Sequence, residues 1–373
     1  MDMNPTSFLC SGLLALACFF NASCDSPSPR PSGIVTDGRP VVGVIACRTT
    51  PYWAAVEYGA NHSADKNDLR LIWQEITQQD SVEQQVSAIH NMISRHVQGI
   101  IIASQNELLL RGAVKQATDQ GIYVLLMDST PPTNSEYHAE FSSIVATDQY
   151  HAGQLAADEI ARLLHEKGRI AVMRYSPLAS KTDNREKGFL TQIRSYPEIE
   201  VVGHDLYAGT EPLRAKEKMT NFLQLYSWNK RSELDGIFIS DESTACEMLR
   251  LIEQAKFYNK INFVAFGTDH QLVTGMLTYS VDALFVEQPV RMGQQTVDTM
   301  AELLRGQSVA PLYDSGVHCI LIDNLSLPYS QALLNSSSDH SLEILLDEFP
   351  DHQSRDGDGA VESEPLSRII SLE

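Results

Sequence analysis

Val41-Val-Gly-Val-Ile-Ala-Cys-Arg-Thr-Thr-Pro-Tyr-Trp-Ala-Ala-Val-Glu-Tyr-Gly59 is the stretch on which the reading of the whole chain turns. Its first six residues are small or apolar without alternation, the mark of a strand covered on both faces. Pro51 suits the first turn of a helix, where its missing N–H breaks no hydrogen bond. The stretch therefore predicts strand, loop and helix, with Arg48, Thr50 and the adjacent aromatics Tyr52 and Trp53 between the two elements. In an open α/β sheet, ligands bind beyond the carboxyl ends of the strands, where this loop falls. Taken alone, Tyr52 and Trp53 serve equally well as cover for the sheet, because aromatics bury large area wherever they sit.

Downstream the alternation continues. Val82, Val86, Ile89 and Ile93 recur at helical spacing. Gly99–Ala103 and Tyr123–Met127 read as buried strands on either side of a helix over 108–119, and the second ends at Asp128. The pattern restarts near Ala146-Thr147-Asp148. Strands over 169–173, 235–239, 262–266, 283–286 and 318–322 then alternate with helices, of which 289–305 has the clearest apolar stripe. Repeated βα units predict doubly wound parallel sheets with right-handed crossovers. A chain of 373 residues exceeds the roughly 250–300 at which single cores stop growing, so two lobes are expected.

Upstream, Phe8–Phe20 is one apolar run, too short to span a bilayer comfortably but suited to the core of a signal peptide. Asn21-Ala22-Ser23-Cys24 follows and resembles a bacterial lipoprotein signal, which implies export to the periplasm or cell envelope and lipidation at Cys24. Residues 25–39 are Pro/Ser/Gly-rich and read as a linker. The formal charge of −20 argues against nucleic acid, since phosphate binding needs a basic surface. Acidic residues crowd the segment 331–373, which reads as a mostly disordered tail apart from a helical scrap near 341–348. Cys47, Cys246 and Cys319 lie far apart with no CxxC, so no zinc or thioredoxin-like site is expected, and buried thiols are. GxSxG, HExxH, P-loop and GxGxxG patterns are all missing from the sequence, which predicts a protein that is not an enzyme and needs no cofactor.

Several strings in order resemble the type I periplasmic binding proteins, in the ribose/galactose-type sugar-binding branch that also includes the effector domains of lac-repressor-like regulators. They are Pro51-Tyr52-Trp53, Gln98–Ala103, Gly121–Asp128, Asn184-Arg185-Glu186-Lys187-Gly188-Phe189, Asp235–Asp241, and Val281–Pro289 with Met292-Gly293. The resemblance covers residues 40–330. It implies two similar doubly wound lobes, 40–146 plus 288–314 and 147–287 plus 315–330, joined by three crossovers near Thr147, Glu287 and Ser315. It further implies a small sugar or polyol held between the lobes and passed to the membrane permease of an ABC-type importer. A receptor that signals to a sensor histidine kinase is the alternative, and contact with the membrane would come only through a lipid anchor.

The same resemblance nominates site residues, each of which also has a plainer structural role. Asp128 matches a ligand carboxylate, and it could equally cap a turn. Arg185 matches a bidentate donor from the second lobe, or it is a helix-surface arginine. Asp241 matches a polar contact, or it caps the helix that follows. Glu287 stands at a crossover in a position that is often Gln in the family. Tyr52 and Trp53 match an aromatic pair that stacks on the ligand, with Arg48 and Thr50 in the same loop. Two positions depart from the family pattern. Ser129 stands where ribose-type members have Arg, and Gly267 where an Asp ligand is usual, leaving Asp269 either to replace that ligand or to cap a helix.

Overall fold

The computed structural model describes residues 38–46, 50–77, 81–104, 107–129, 141–176, 179–257 and 259–347. The apolar N-terminal run, Cys24, the linker up to residue 37, Cys47 and Arg48 lie outside the described residues. No helix among the described residues is long and apolar enough to cross a membrane.

The opening stretch forms β1 (Val41–Ala46), buried throughout, and α1 (Pro51–Lys66). With β2 (Arg70–Glu75), β3 (Gly99–Ile102), β4 (Tyr123–Met127), β5 (Ser143–Ala146) and β13 (Leu312–Asp314), β1 builds an all-parallel sheet in the order β13-β5-β4-β3-β1-β2. The second sheet repeats this winding. β6 (Lys167–Arg174), β7 (Glu198–Tyr207), β10 (Gly236–Ile239), β11 (Asn262–Phe266), β12 (Ala283–Glu287) and β14 (Val317–Leu321) lie in the order β14-β12-β11-β10-β6-β7. Only β14 runs antiparallel to its neighbour. A small hairpin, β8 (Ser227–Trp228) with β9 (Arg231–Ser232), stands apart.

Each sheet is covered on both faces, as unalternating strands require. Around the first, Ile45, Ile100 and Leu126 pack on one side and Val44, Ile101 and Leu125 on the other. The chain passes between sheets three times: from β5 to β6, from β12 to α9 (Pro289–Leu304), which packs on α1, and from β13 to β14. Polar bonds tie the crossings together. Thr147 and Ser315 hydroxyls meet at 3.0 Å, and the Tyr329 hydroxyl donates to Gln288 Oε1 at 2.5 Å.

The helix expected near 341–348 forms, with a shorter one before it. After α10 (Pro328–Leu334), α11 (Asp339–Asp347) is a formed helix that buries Leu342 and Leu345 with Ala55, Val290 and Tyr329. Leu342 and Leu345 are one turn apart, so they share a face despite the acidic surroundings. The Ser338 hydroxyl accepts from the Ser341 N–H at its start. Residues 348–373 lie outside the described residues. Cys246 and Cys319 are each half-buried.

Candidate functional site

The polar centre is built on α4 (Gln149–Leu163) and α5 (Ser180–Gln192) of the second lobe. The two helices cross where glycines allow backbone contact. A Cβ on Gly153 would run into the Arg185 carbonyl, and one on Gly188 into that of Tyr150. This close approach brings Gln149, the first residue of α4, to the Arg185 guanidinium. Arg185 is buried, and each of its nitrogens is engaged. Nε and Nη2 donate to Gln149 Oε1 at 2.9 and 2.5 Å, Nη1 to the Ser240 carbonyl at 2.5 Å, and Nη2 also to Glu287 Oε1 at 2.7 Å. Gln149 in turn donates to Glu287 Oε1 at 2.8 Å. The Phe266 ring lies under the guanidinium, 3.7 Å from its carbon.

A second, deeper network fixes this one. Glu186 is fully buried and accepts from Arg174 Nε at 2.6 Å, the Tyr175 N–H at 2.9 Å and the Ser240 hydroxyl at 2.6 Å. Holding Ser240 from both ends aims its carbonyl at Arg185. Donors and acceptors set in advance in this way make charge-assisted bonds without further ordering.

The first lobe contributes Tyr52 and Asp128. The Tyr52 hydroxyl donates to Glu287 Oε2 at 3.3 Å, and its ring meets Trp53 edge-on at 5.6 Å. Asp128 follows β4 with φ of 52°, a left-handed conformation that Asp tolerates better than most residues. Its Oδ2 lies 2.5 Å from Lys181 Nζ of the opposite lobe, while its buried Oδ1 has no hydrogen-bond partner among the described residues. Asp128–Lys181 and Tyr52–Glu287 thus join the lobes at the carboxyl ends of their strands.

The two carboxylates titrate apart. Burial pushes the Asp128 carboxyl up; the Lys181 charge pulls it down and that of Glu287 pushes it up, and the result lies above the usual aspartate range. Burial also pushes Glu287 up, but Lys181 and Arg185, with hydrogen bonds from Gln149 and Tyr52, outweigh it and hold Glu287 below the usual glutamate range. Burial and the two nearby carboxylates raise the Tyr52 phenol well above its ordinary value. Burial works against the Lys181 ammonium, yet Asp128 and Glu287 raise it overall.

Of the residues nominated from sequence, Tyr52, Asp128, Arg185 and Glu287 meet in one cluster, with Trp53 beside Tyr52. Asp241 instead caps α7 (Glu242–Ala255), with Oδ1 accepting from the Thr244 N–H and from the Ser243 and Thr244 hydroxyls; only its charge reaches Arg185. Asp269 caps α8 (His270–Leu277) through the Gln271 N–H, which is the structural of its two roles. Thr50 caps α1 through the Trp53 N–H. Gln149, Phe266 and Lys181 were not nominated. The Lys181 signal was present in its position four residues before Arg185, which places both on one helix face. A groove of about 1530 Å³ lies elsewhere, among α1, α4, α9, β13 and β14, and none of the clustered residues lines it.

Two like-wound lobes thus meet at a polar cluster beside three chain crossings. Residues 42–308 match the periplasmic binding protein domain, and the chain belongs to that family, with the type I fold. The ribose import binding protein RbsB of Bacillus subtilis is 21% identical over 80% of this chain and 94% of its own length. The D-xylose-binding periplasmic protein of Escherichia coli is 25% identical over 60% of this chain and 66% of its own. Among solved structures, an ABC transporter solute binding protein from Agrobacterium vitis with bound D-fucose is 27% identical, with a TM-score of 0.63 over 78% of this chain and 98% of its own. One from Burkholderia graminis in complex with D-arabinose is 25% identical, with a TM-score of 0.64 over 79% and 99%.

Proposed function

We propose that this protein is an exported receptor that binds a monosaccharide or similar polyol between its lobes and delivers it to an ABC-type importer. The observation that carries the reading is the buried carboxylate of Asp128, with one oxygen unpartnered, facing the oriented Arg185–Gln149–Glu287 set of the other lobe. Sugar hydroxyls both donate and accept, and carboxylate and guanidinium groups serve them with charge-assisted bonds. Sugars named in the relatives and solved structures support the same ligand class. Residues from both lobes on one ligand favour the closed state through differential affinity.

Calorimetric titration of the purified protein with pentoses, hexoses, polyols and amino acids tests this. Saturable binding of a sugar or polyol is expected, and binding of an amino acid with no response to any sugar or polyol would defeat it. Loss of uptake of the bound sugar on deletion of the gene tests delivery; unchanged uptake would turn the reading towards a sensor.

A further inference from the structure

One cation crosses from the second lobe to the first. Lys181 stands one turn before Arg185 on α5, and its ammonium lies against Asp128 Oδ2 at 2.5 Å. The Lys181 side chain keeps 37% of its surface exposed, whereas the Asp128 carboxyl is enclosed at 7%. No cation of the first lobe pairs with Asp128 among the described residues. The neighbouring Ser129 hydroxyl is occupied, donating towards the Ser104 and Met127 carbonyls and accepting from the Ser104 N–H. Arg185 is committed within its own lobe. The polar groups therefore divide into a fixed set on one lobe and two contacts, Lys181–Asp128 and Tyr52–Glu287, that exist only when the lobes are together, and of these only Lys181–Asp128 pairs opposite charges.

The pair has capacity left over. Asp128 Oδ1 is buried with no partner, and an ammonium carries three donors, of which Asp128 takes one. A hydroxyl that donates to Oδ1 brings the oxygen of its vicinal neighbour towards the Lys181 ammonium. A ligand lacking either hydroxyl leaves a buried charge unsatisfied, which is how a hydrogen-bonding site rejects an analogue without the group. We infer that Lys181 is a specificity-determining residue that, together with Asp128, reads a vicinal diol of the ligand and does so only when the lobes are closed. The diol part rests on the polyol reading above; the interlobe pairing does not.

Two arms test it. In the first, the wild type, Lys181→Met and Lys181→Arg are titrated with D-ribose, D-xylose, D-allose, D-fucose, D-arabinose and xylitol, and with deoxy analogues of whichever binds. Lys181→Met should weaken binding at least tenfold and flatten the preference for the parent sugar over the deoxy analogue that the wild type rejects most strongly. Lys181→Arg should keep part of both. Affinity within twofold of the wild type, with the preference intact, overturns the inference. In the second arm, small-angle scattering without added ligand compares the wild type, Lys181→Met and Asp128→Asn, with melting curves to establish that each is folded. The wild type should be the most compact, and the two variants should match each other. Equal radii of gyration overturn the pairing. A wild type that binds none of these compounds defeats the polyol function and the diol reading together, and the scattering result stands apart from that outcome.

Discussion

Arg185→Ala removes four hydrogen bonds, one of them the ion pair with Glu287, and the cation over Phe266 in one step. What remains is a half-buried Glu287 without its guanidinium partner, a Gln149 carbonyl oxygen that has lost two donors, and a Ser240 carbonyl that has lost one. Removing one member of a buried pair typically costs about 3–5 kcal/mol, because the other charge is left uncompensated. The expected loss of stability is in that range. Urea unfolding reads it directly: with a slope of about 3 kcal/mol/M, the midpoint should fall by about 1–1.7 M. The second substitution Glu287→Gln removes the stranded charge, so the double variant should lose less than the sum of the two single ones. Lys at 185 keeps the charge but not the planar fork, and should fall between wild type and alanine. Ligand affinity of the alanine variant should drop by at least about 2 kcal/mol, since buried partners are left unpaired. An unfolding midpoint and an affinity both equal to wild type would refute the placement of Arg185 at the centre of the cluster.

Acid should act through Glu287. Its folded pKa lies below its unfolded value, so its contribution is full above the usual glutamate range and is lost as pH falls through and below that range. Asp128 has the opposite sign: its raised pKa favours folding at low pH and ceases to as pH rises through the folded value. Glu287→Gln should therefore be less stable than wild type near pH 7 and approach it on acidification; a gap independent of pH, measured by urea titration between pH 7 and 3, would contradict this. The Cys246 thiol, pushed up to about 12 by burial and by Asp269 and Glu242, should be alkylated by iodoacetamide far more slowly at pH 8 in the folded protein than after denaturation; equal rates by mass spectrometry would count against it. Gly153→Ala drives a methyl into the Arg185 carbonyl and should cost about 1–3 kcal/mol while weakening ligand binding, because Gln149 and Arg185 are pushed apart. Leu345→Ala should cost about 2–4 kcal/mol if the C-terminal helix is part of the core; a loss near zero in urea unfolding would return it to the tail.

The sequence displayed the fold wherever burial leaves an unalternating apolar run, as in β1, β3, β4 and β11. It hid β5 and β13, whose two or three apolar residues do not form a run that stands out from the chain around them. In the cluster, Asp128 and Arg185 were picked out by the family strings in which they stand, at a strand end and in an early helical turn. Asp241 and Asp269 stand at equally good strand ends, yet their side chains turn back onto the N–H groups of the helices they precede. A strand-end aspartate before a helix satisfies both descriptions, and only the local hydrogen bond decides between them. Lys181 shares a helix face with Arg185, but charged residues stand on every side of the first turns of α5, so that face did not stand out. The C-terminal helix was legible as a helical scrap near 341–348, but nothing in its acidic surroundings showed that Leu342 and Leu345 pack into the core with Ala55 and Val290.

That helix has a mechanical consequence. It follows β14 of the second lobe through α10, yet it packs on α1 and α9 of the first. The two lobes are therefore joined by three crossings of main chain and by a fourth tie made only of side chains. Any turning of one lobe against the other must drag this tie, peel it off or be resisted by it. A cargo, tag or reporter fused after residue 347 would hang on the spring of the molecule rather than on an inert end.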